Sequence, residues 1–471
     1  MHLSTSTVRQ QPPTVLVALL ALSLLPLYII SYQIRLRFPL SQIPGTESLG
    51  LDIPPSPVSQ DFVTAWLATD LVQPFDPYPL ARYCNTTGRR FNPNLVFNLA
   101  NANGGLGNVR GNILDFIFFA IEAGASIILP GFAGRDSENI GNVWGGHKHF
   151  GEFFDQEWFV ETMGKVCPEM EVYVFEEGMK MKEAVNGERG NYMPRTRRMD
   201  SGFENTWKAA VEQLEGWLRE VKTDDEAKDQ EAGGTTMVNL ERTLWDVDTR
   251  SLPLGVRRNF GQMVRLRPDV RRLAAVAVQN LALRFGLDID PGHAIPRHAF
   301  YGAHLRTEAD AGGAGWLDDA NANFSAQTDA YIEQSLKHKL RVMYVATGDE
   351  SELALFREKA SKHKPAINIT SKYDLLPARE AAELKGLTWD QRALVDYEVL
   401  KRSSIFGGFV KSSFSYNVAM ARNQWLEDQA WMADPWYAQH TETGVSFDDG
   451  LSRILGRDGW HEGRIPRGMW P

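Results

Sequence analysis

The tightest constraint on this chain is the alternation of short apolar runs with helical patterns between residues 300 and 422. Phe300–Ala303 reads as a buried strand, isolated by Gly292 and Pro296 before it and by Gly312 and Gly313 after it. A helix is predicted over about 325–338, then the strand Leu340–Ala346, a helix over 351–362 and the strand Ala366–Ile369. A helix over 389–402, the strand Ser404–Val410 and a helix from Ser412 through Arg422 complete the series. Crossover helices between successive strands make those strands parallel, so this half is predicted to be a doubly wound α/β domain. In such sheets ligands bind outside the carboxyl ends of the strands. His304, Arg306, Glu308 and Asp310 follow the first strand at that edge. Arg306 offers a planar fork of donors suited to phosphate oxygens, and the two carboxylates are placed to orient it or to meet a hydroxylated ligand. Thr347 and Ser412 end two further strands on the same edge.

A second unit precedes this one. Leu95–Leu99 reads as a strand, Asn101–Gly107 as a glycine-rich turn, Asn108–Gly124 as a helix closed on a C-cap glycine, and Ala125–Leu129 as a strand stopped by Pro130 and Gly131. The βαβ order again implies a parallel sheet. A dinucleotide fingerprint fails, because position 110 is Arg rather than Gly and Leu129–Pro130 stands where an acid belongs. A P-loop lacks its Gly-Lys-Ser/Thr. The turn and helix N-terminus still suit an anion, with Asn108 and Arg110 beside it. His147 and His149 lack further ligand spacing for a metal and read as a solvated loop. Phe203–Val221 has the spacing of an amphipathic helix, and 223–234 an acidic, glycine-rich insertion. Asp269 is predicted to cap a helix running through Phe285 to Gly286. Two Rossmann-like domains facing across a cleft make the GT-B architecture, common among nucleotide-sugar glycosyltransferases.

The remaining features set the organisation. Residues 14–32 are apolar and uncharged, long enough to span a bilayer, with no evident cleavage site. The predicted layout is a cytosolic tail (1–13), a transmembrane signal anchor (14–32), a proline-rich stalk (33–65), an N-terminal Rossmann-like domain (66–287), a C-terminal Rossmann-like domain (288–430) and a tail packing back on the body (431–471). Sequons at Asn85, Asn323 and Asn368 mark glycosylation candidates in a lumenal body. Cys84 and Cys167, the two cysteines, either pair in an oxidising lumen or stay as buried thiols. A formal net charge of -9 argues against a nucleic-acid partner.

Four stretches, in order, resemble the motifs of the GDP-fucose protein O-fucosyltransferase superfamily. Gly104–Arg110 is similar to its glycine-rich motif, and His304-Leu305-Arg306 with Glu308 and Asp310 to its central motif. Tyr344–Asp349 resembles the third, and Ala393–Tyr397 with Ser412–Ser415 and Asn417–Ala419 the last. The resemblance implies inverting transfer of fucose from GDP-fucose to a protein or glycan hydroxyl, with no metal and no cofactor, by a single-pass type II membrane protein of the Golgi or endoplasmic reticulum. It implies catalytic roles for Arg306 at the leaving diphosphate and Asn108 at the sugar and β-phosphate, with Glu308 as the candidate base. Donor contacts are expected from Gly105, Gly107, Arg110, His304, Asp310, Thr347, Asp396, Ser413, Phe414 and Ser415. Val109 departs from the Gln that members often carry after the first-motif Asn. Two other readings remain: a metal-dependent GT-A transferase using Asp246 and Asp248, and a tethered nucleotide-sugar or glycan-binding protein without turnover.

Overall fold

The computed structural model describes residues 59–69, 71, 74–86, 91–99, 102–135, 142, 145–174, 177–178, 191–192, 212–216, 236–240, 252–318, 322–428, 444–456 and 470. The expected anchor at 14–32, the insertion at 223–234, and Asp246 and Asp248 lie outside the described residues. So does most of the helix expected at 203–221, of which 212–216 is helical with Leu214 buried.

The helices are α1 Gln60–Ala68, α2 Tyr78–Thr86, α3 Leu106–Ala123, α4 Gln156–Val166, α5 Leu254–Phe260, α6 Pro268–Phe285, α7 Ala309–Gly313, α8 Phe324–Lys337, α9 Glu350–Ser361, α10 Lys372–Leu375, α11 Ala378–Gly386, α12 Trp389–Lys401 and α13 Ser413–Asp428. The strands are β1 Asn92–Leu99, β2 Ala125–Ile128, β3 Phe132–Ala133, β4 His147–Lys148, β5 Val172–Tyr173, β6 Asn191–Tyr192, β7 Thr236–Leu240, β8 Tyr301–His304, β9 Val342–Ala346, β10 Asn368–Thr370, β11 Ile405–Phe409, β12 Val445–Asp448 and β13 Ser452–Leu455.

Two sheets organise the chain. The first runs β5-β2-β1-β7-β6 with every pairing parallel. The second runs β10-β9-β8-β11-β13-β12, parallel until the final antiparallel pair. The central strands β8, β9 and β11 are buried on both faces because both are covered. Met343 and Val345 pack with Ile332 and Phe356 on one side, while Val342, Tyr344 and Ala346 join the cluster holding Leu394 and Leu400 on the other. That second cluster also contains Phe97, Phe116 and Val278, so one continuous core runs from the first sheet to the second. Helix α6 packs along α12, and α13 along α3. Helix α1 begins at Gln60 with Val63 and Trp66 buried, inside the stretch expected as stalk.

Local signals explain most boundaries. Gly124 and Gly286 close α3 and α6 in the left-handed conformation, at φ 66° and 62°. Asp269 is not the cap of α6. Pro268 takes the first helical position, and Asp269 instead accepts from Arg267 Nε and Val270 N. The chain after residue 444 folds back: β12 and β13 extend the second sheet, and Trp470 is fully buried beside Phe118 and Phe260, its Nε1 donating to Asp115.

Asn85, Asn323 and Asn368 are all exposed. A disulfide joins Cys84 of α2 to Cys167 after α4, with Cα atoms 5.8 Å apart. It closes a loop of 83 residues, which restricts the unfolded chain by about 4–5 kcal/mol in the chain-entropy picture. Replacing both cysteines with Ala is expected to cost about 2–4 kcal/mol. Non-reducing peptide mapping checks the bond directly; two alkylated thiols in the native protein would reject it.

Candidate active site

The carboxyl ends of β8, β9 and β11 open into a cleft with about 350 Å³ of interior space. Its walls come from both halves of the chain. The first half contributes Gly104, Gly105, Leu106 and Asn108 at the start of α3, together with Arg135. The second contributes His304, Arg306, Glu308 and Asp310 after β8, and Thr347 and Gly348 after β9. Lys411, Ser413 and Phe414 follow β11, and Trp389, Asp390, Arg392 and Asp396 come from α12.

Two glycines make this meeting possible. Gly104 sits at φ 97°, where a side chain would be strained and would strike Asn108 Nδ2 at 2.7 Å. A Cβ on Gly107 would stand 2.5 Å from the backbone oxygen of Ser413, so α3 and the start of α13 are in backbone contact there. Gly107 was expected to touch the donor. It instead holds the two halves together, outside the cleft lining.

Arg306 is clamped rather than free. Its Nη1 donates to Glu308 Oε2 at 2.6 Å and to Asp310 Oδ1 at 2.7 Å, and its Nη2 to Asp310 Oδ2 at 2.5 Å. Trp316 lies against the guanidinium at 5.5 Å. Burial alone lowers its basicity, but the hydrogen bonds and charges of Asp310 and Glu308 outweigh that and hold it above the ordinary value. Burial raises the Asp310 carboxyl, and the Arg306 bond brings it back below its usual range. Glu308, expected as the candidate base, is engaged at both oxygens: Oε2 accepts from Arg306 Nη1, and Oε1 from Gly348 N at 3.1 Å. Its place is to orient Arg306 and the turn after β9.

His304 is buried with its Nδ1 2.7 Å from Ser415 Oγ and its ring 4.6 Å from Phe414. Ser415 therefore lies behind His304, outside the cleft lining, and also accepts from Phe409 N. Asp396 reaches the cleft floor in a buried ion pair with Lys372 and accepts from Tyr344 Oη at 2.7 Å. Thr347 lines the cleft and accepts from Asp349 N. Arg110, expected to bind donor, faces away. Its Nη1 and Nη2 bond the carbonyls of Trp470 and Gly261, and it borders a smaller cavity of about 110 Å³ lined also by Trp66, Arg271 and Arg402. Two residues along α3, about 200° around the helix axis, put Arg110 on the opposite side from Asn108.

Sequence reasoning missed the opposite wall. Arg135 joins Asp390 through Nε at 2.9 Å and Nη2 at 2.8 Å, and its guanidinium stacks on Trp389 at 4.6 Å. This bridge spans the cleft between the halves. Lys372 and Tyr373 stood between recognisable patterns, whereas Trp389 and Arg392 lie in the helix expected over 389–402, whose start at the cleft edge is marked by the capping box Thr388–Gln391. His147 and His149 stack edge to face at 5.7 Å, and among the described residues no group of three or more His, Cys, Asp or Glu is placed to hold a metal.

A cleft between two α/β sheets, edged with cations and aromatics and entered by two helix N-termini, suits an anionic, nucleotide-like ligand. The model of the GDP-fucose protein O-fucosyltransferase family matches residues 95–424, and the chain belongs to that family. It is a glycosyltransferase acting on GDP-fucose. Among solved structures, POFUT1 in complex with GDP is 14% identical, with 70% of this chain and 95% of that chain covered and a TM-score of 0.40. POFUT1 with GDP-fucose is 12% identical over 79% and 100%, at 0.40. The fucosyltransferase NodZ from Bradyrhizobium is 15% identical over 69% and 90%, at 0.36. No curated protein matches the chain.

Burial pushes the His304 imidazole down to about 4, with Glu308 opposing and Arg306 and Arg135 adding. An unfolded chain binds that proton near pH 6.5. Between pH 6.5 and 4 the unfolded state therefore gains protons that the folded state refuses, and stability falls as pH falls. The loss from this group is expected to be about 2 kcal/mol between pH 7 and pH 5. Urea unfolding at the two values should show a smaller loss in His304→Gln; equal losses in both proteins would refute the assignment.

Proposed function

We propose that this cleft transfers fucose from GDP-fucose to a hydroxyl of a protein or glycan by direct, inverting displacement, without a metal. The observation that carries this reading is the convergence of Asn108, Arg306, Ser413 and Phe414 on one cleft from two different sheets. The acceptor oxygen forms its bond to the sugar C1 as the bond from C1 to the β-phosphate oxygen breaks, GDP leaves and the hydroxyl proton is released. Charge then builds on the departing diphosphate. Fixed donors in a site closed to water stabilise such charge without reorganising. The first-turn amides of α13 have no partners within the helix and point toward anions. Arg306, locked in place by Asp310 and Glu308, adds a cation whose position does not relax. Asn108, at the start of α3, meets the sugar and β-phosphate from the other half. Burial leaves the His304 imidazole neutral at physiological pH, so it acts as a polar contact, not as a charge.

The experiment is donor hydrolysis in the absence of acceptor. Arg306→Ala is expected to lose roughly a hundred- to a thousandfold in turnover. Arg306→Lys keeps the charge but cannot span Asp310 in two-point fashion, and is expected to fail partly. Equal rates in wild type and Arg306→Ala would place the chemistry elsewhere.

The setting is a second part of the proposal. The apolar, uncharged run at 14–32 and the exposed sequon asparagines support a single-pass type II protein whose body lies in the Golgi or endoplasmic reticulum lumen. Treating the native protein with an endoglycosidase should raise its gel mobility. No shift, combined with digestion of the body by protease added outside sealed vesicles, would overturn it.

A further inference from the structure

Resting on the reading of this cleft as the GDP-fucose site, we propose that Arg392 reads the guanine base of the donor. Five cationic side chains line the cleft: Arg135, Arg306, Lys372, Arg392 and Lys411. Carboxylates hold three of them. Arg306 is clamped by Glu308 and Asp310, Arg135 by Asp390, and Lys372 by Asp396. Arg392 is built differently. Its Nε donates to the Leu387 carbonyl at 3.1 Å, and its two Nη nitrogens have no partner among the described residues. The Nε bond fixes the plane of a fork whose outer donors are left for a ligand.

Position favours the base over the diphosphate. The strand order β10-β9-β8-β11 spreads the cleft along one sheet edge. Helix α13 starts beside β11, so its phosphate-binding amides lie at that end, while Lys372 and Tyr373 of α10 follow β10 at the other. Arg392 precedes Asp396 by about one turn of α12, and Asp396 pairs with Lys372 of α10, which places the fork on the α10 side. On α12, Trp389, Arg392 and Asp396 follow at helical spacing, and all three line the cleft. Arg135 covers one face of Trp389, so what this wall offers a flat base is the Arg392 fork. Guanine presents two acceptors side by side, O6 and N7, which a guanidinium engages together; adenine replaces O6 with a donor.

Calorimetric binding of GDP, IDP and ADP to the full protein tests the assignment in wild type, Arg392→Lys and Arg392→Ala. Both variants are expected to weaken GDP and IDP by roughly 5- to 150-fold while leaving ADP unchanged, so that selectivity for guanine collapses. Hypoxanthine keeps O6 and N7, and for that reason IDP should follow GDP. The Lys variant retains charge and stem, and its unfolding midpoint, matched to wild type, separates lost recognition from lost fold. Equal weakening of GDP and ADP would put the fork on the phosphates and overturn the proposal, as would undiminished binding of all three. A wild-type protein that binds no nucleotide would instead bring down the reading of the cleft itself.

Discussion

Everything in the cleft depends on the contact between the start of α3 and the start of α13. Two helix N-termini that belong to different sheets approach so closely at Gly107 that a single methyl group would strike the Ser413 backbone. Both ends carry unsatisfied amides and partial positive charge, so their approach costs electrostatic energy unless an anion or a polar cap sits nearby. Ser412 supplies part of the cap, accepting from Ser415 N. The rest of the field is directed into the cleft. The halves are thus held in backbone contact where the two helix N-termini meet.

The cations of the cleft form two populations. Arg306, Arg135 and Lys372 spend their charge on fixed carboxylates, and each pair is oriented before any ligand arrives. The carboxylates offset part of each cation's attraction for a diphosphate and hold the charge in place. Their value is geometric: Arg306 cannot swing, Arg135 links Asp390 of one half to the turn beside Gly105 of the other, and Lys372 sets the cleft floor through Asp396. Buried ion pairs are weak evidence for stability but good devices for fixing a single arrangement. The helix amides and the Arg392 fork add attraction of their own.

Much of this architecture was legible in the sequence, and the parts that were not share a physical cause. The central strands of the second sheet are buried on both faces, so Val342–Ala346 and Ile405–Phe409 read as unbroken apolar runs, and Gly124 and Gly286 announce the ends of their helices. The edge that holds His304, Arg306 and Asp310 follows from strand direction alone. Glu308 and Arg110 were harder. A motif gives the order of residues, whereas the partners that decide their roles, Gly348 and Trp470, lie 40 and 360 residues away. Arg135 stands in a loop and Lys372 in a four-residue helix, where no periodicity distinguishes a cleft residue from a solvated one, and Arg392 stands in the expected helix over 389–402, whose pattern does not say which face meets the cleft. Asp269 beside Pro268 shows the same limit locally, since a cap residue and a first-turn residue differ by one position and look alike in sequence.

The burial of Trp470 bears on the order in which the molecule can assemble. Its indole completes the apolar layer over α3 between Phe118 and Phe260, and its nitrogen satisfies Asp115, a residue 355 positions earlier. Until that residue has been synthesised, the helix beside the glycine-rich turn keeps a buried carboxylate without this donor and an open gap among aromatic rings. Domains emerging from a ribosome generally fold in sequence order, but here the earlier half waits for the later one. The apolar layer over α3 is therefore completed only when Trp470 has joined the first half.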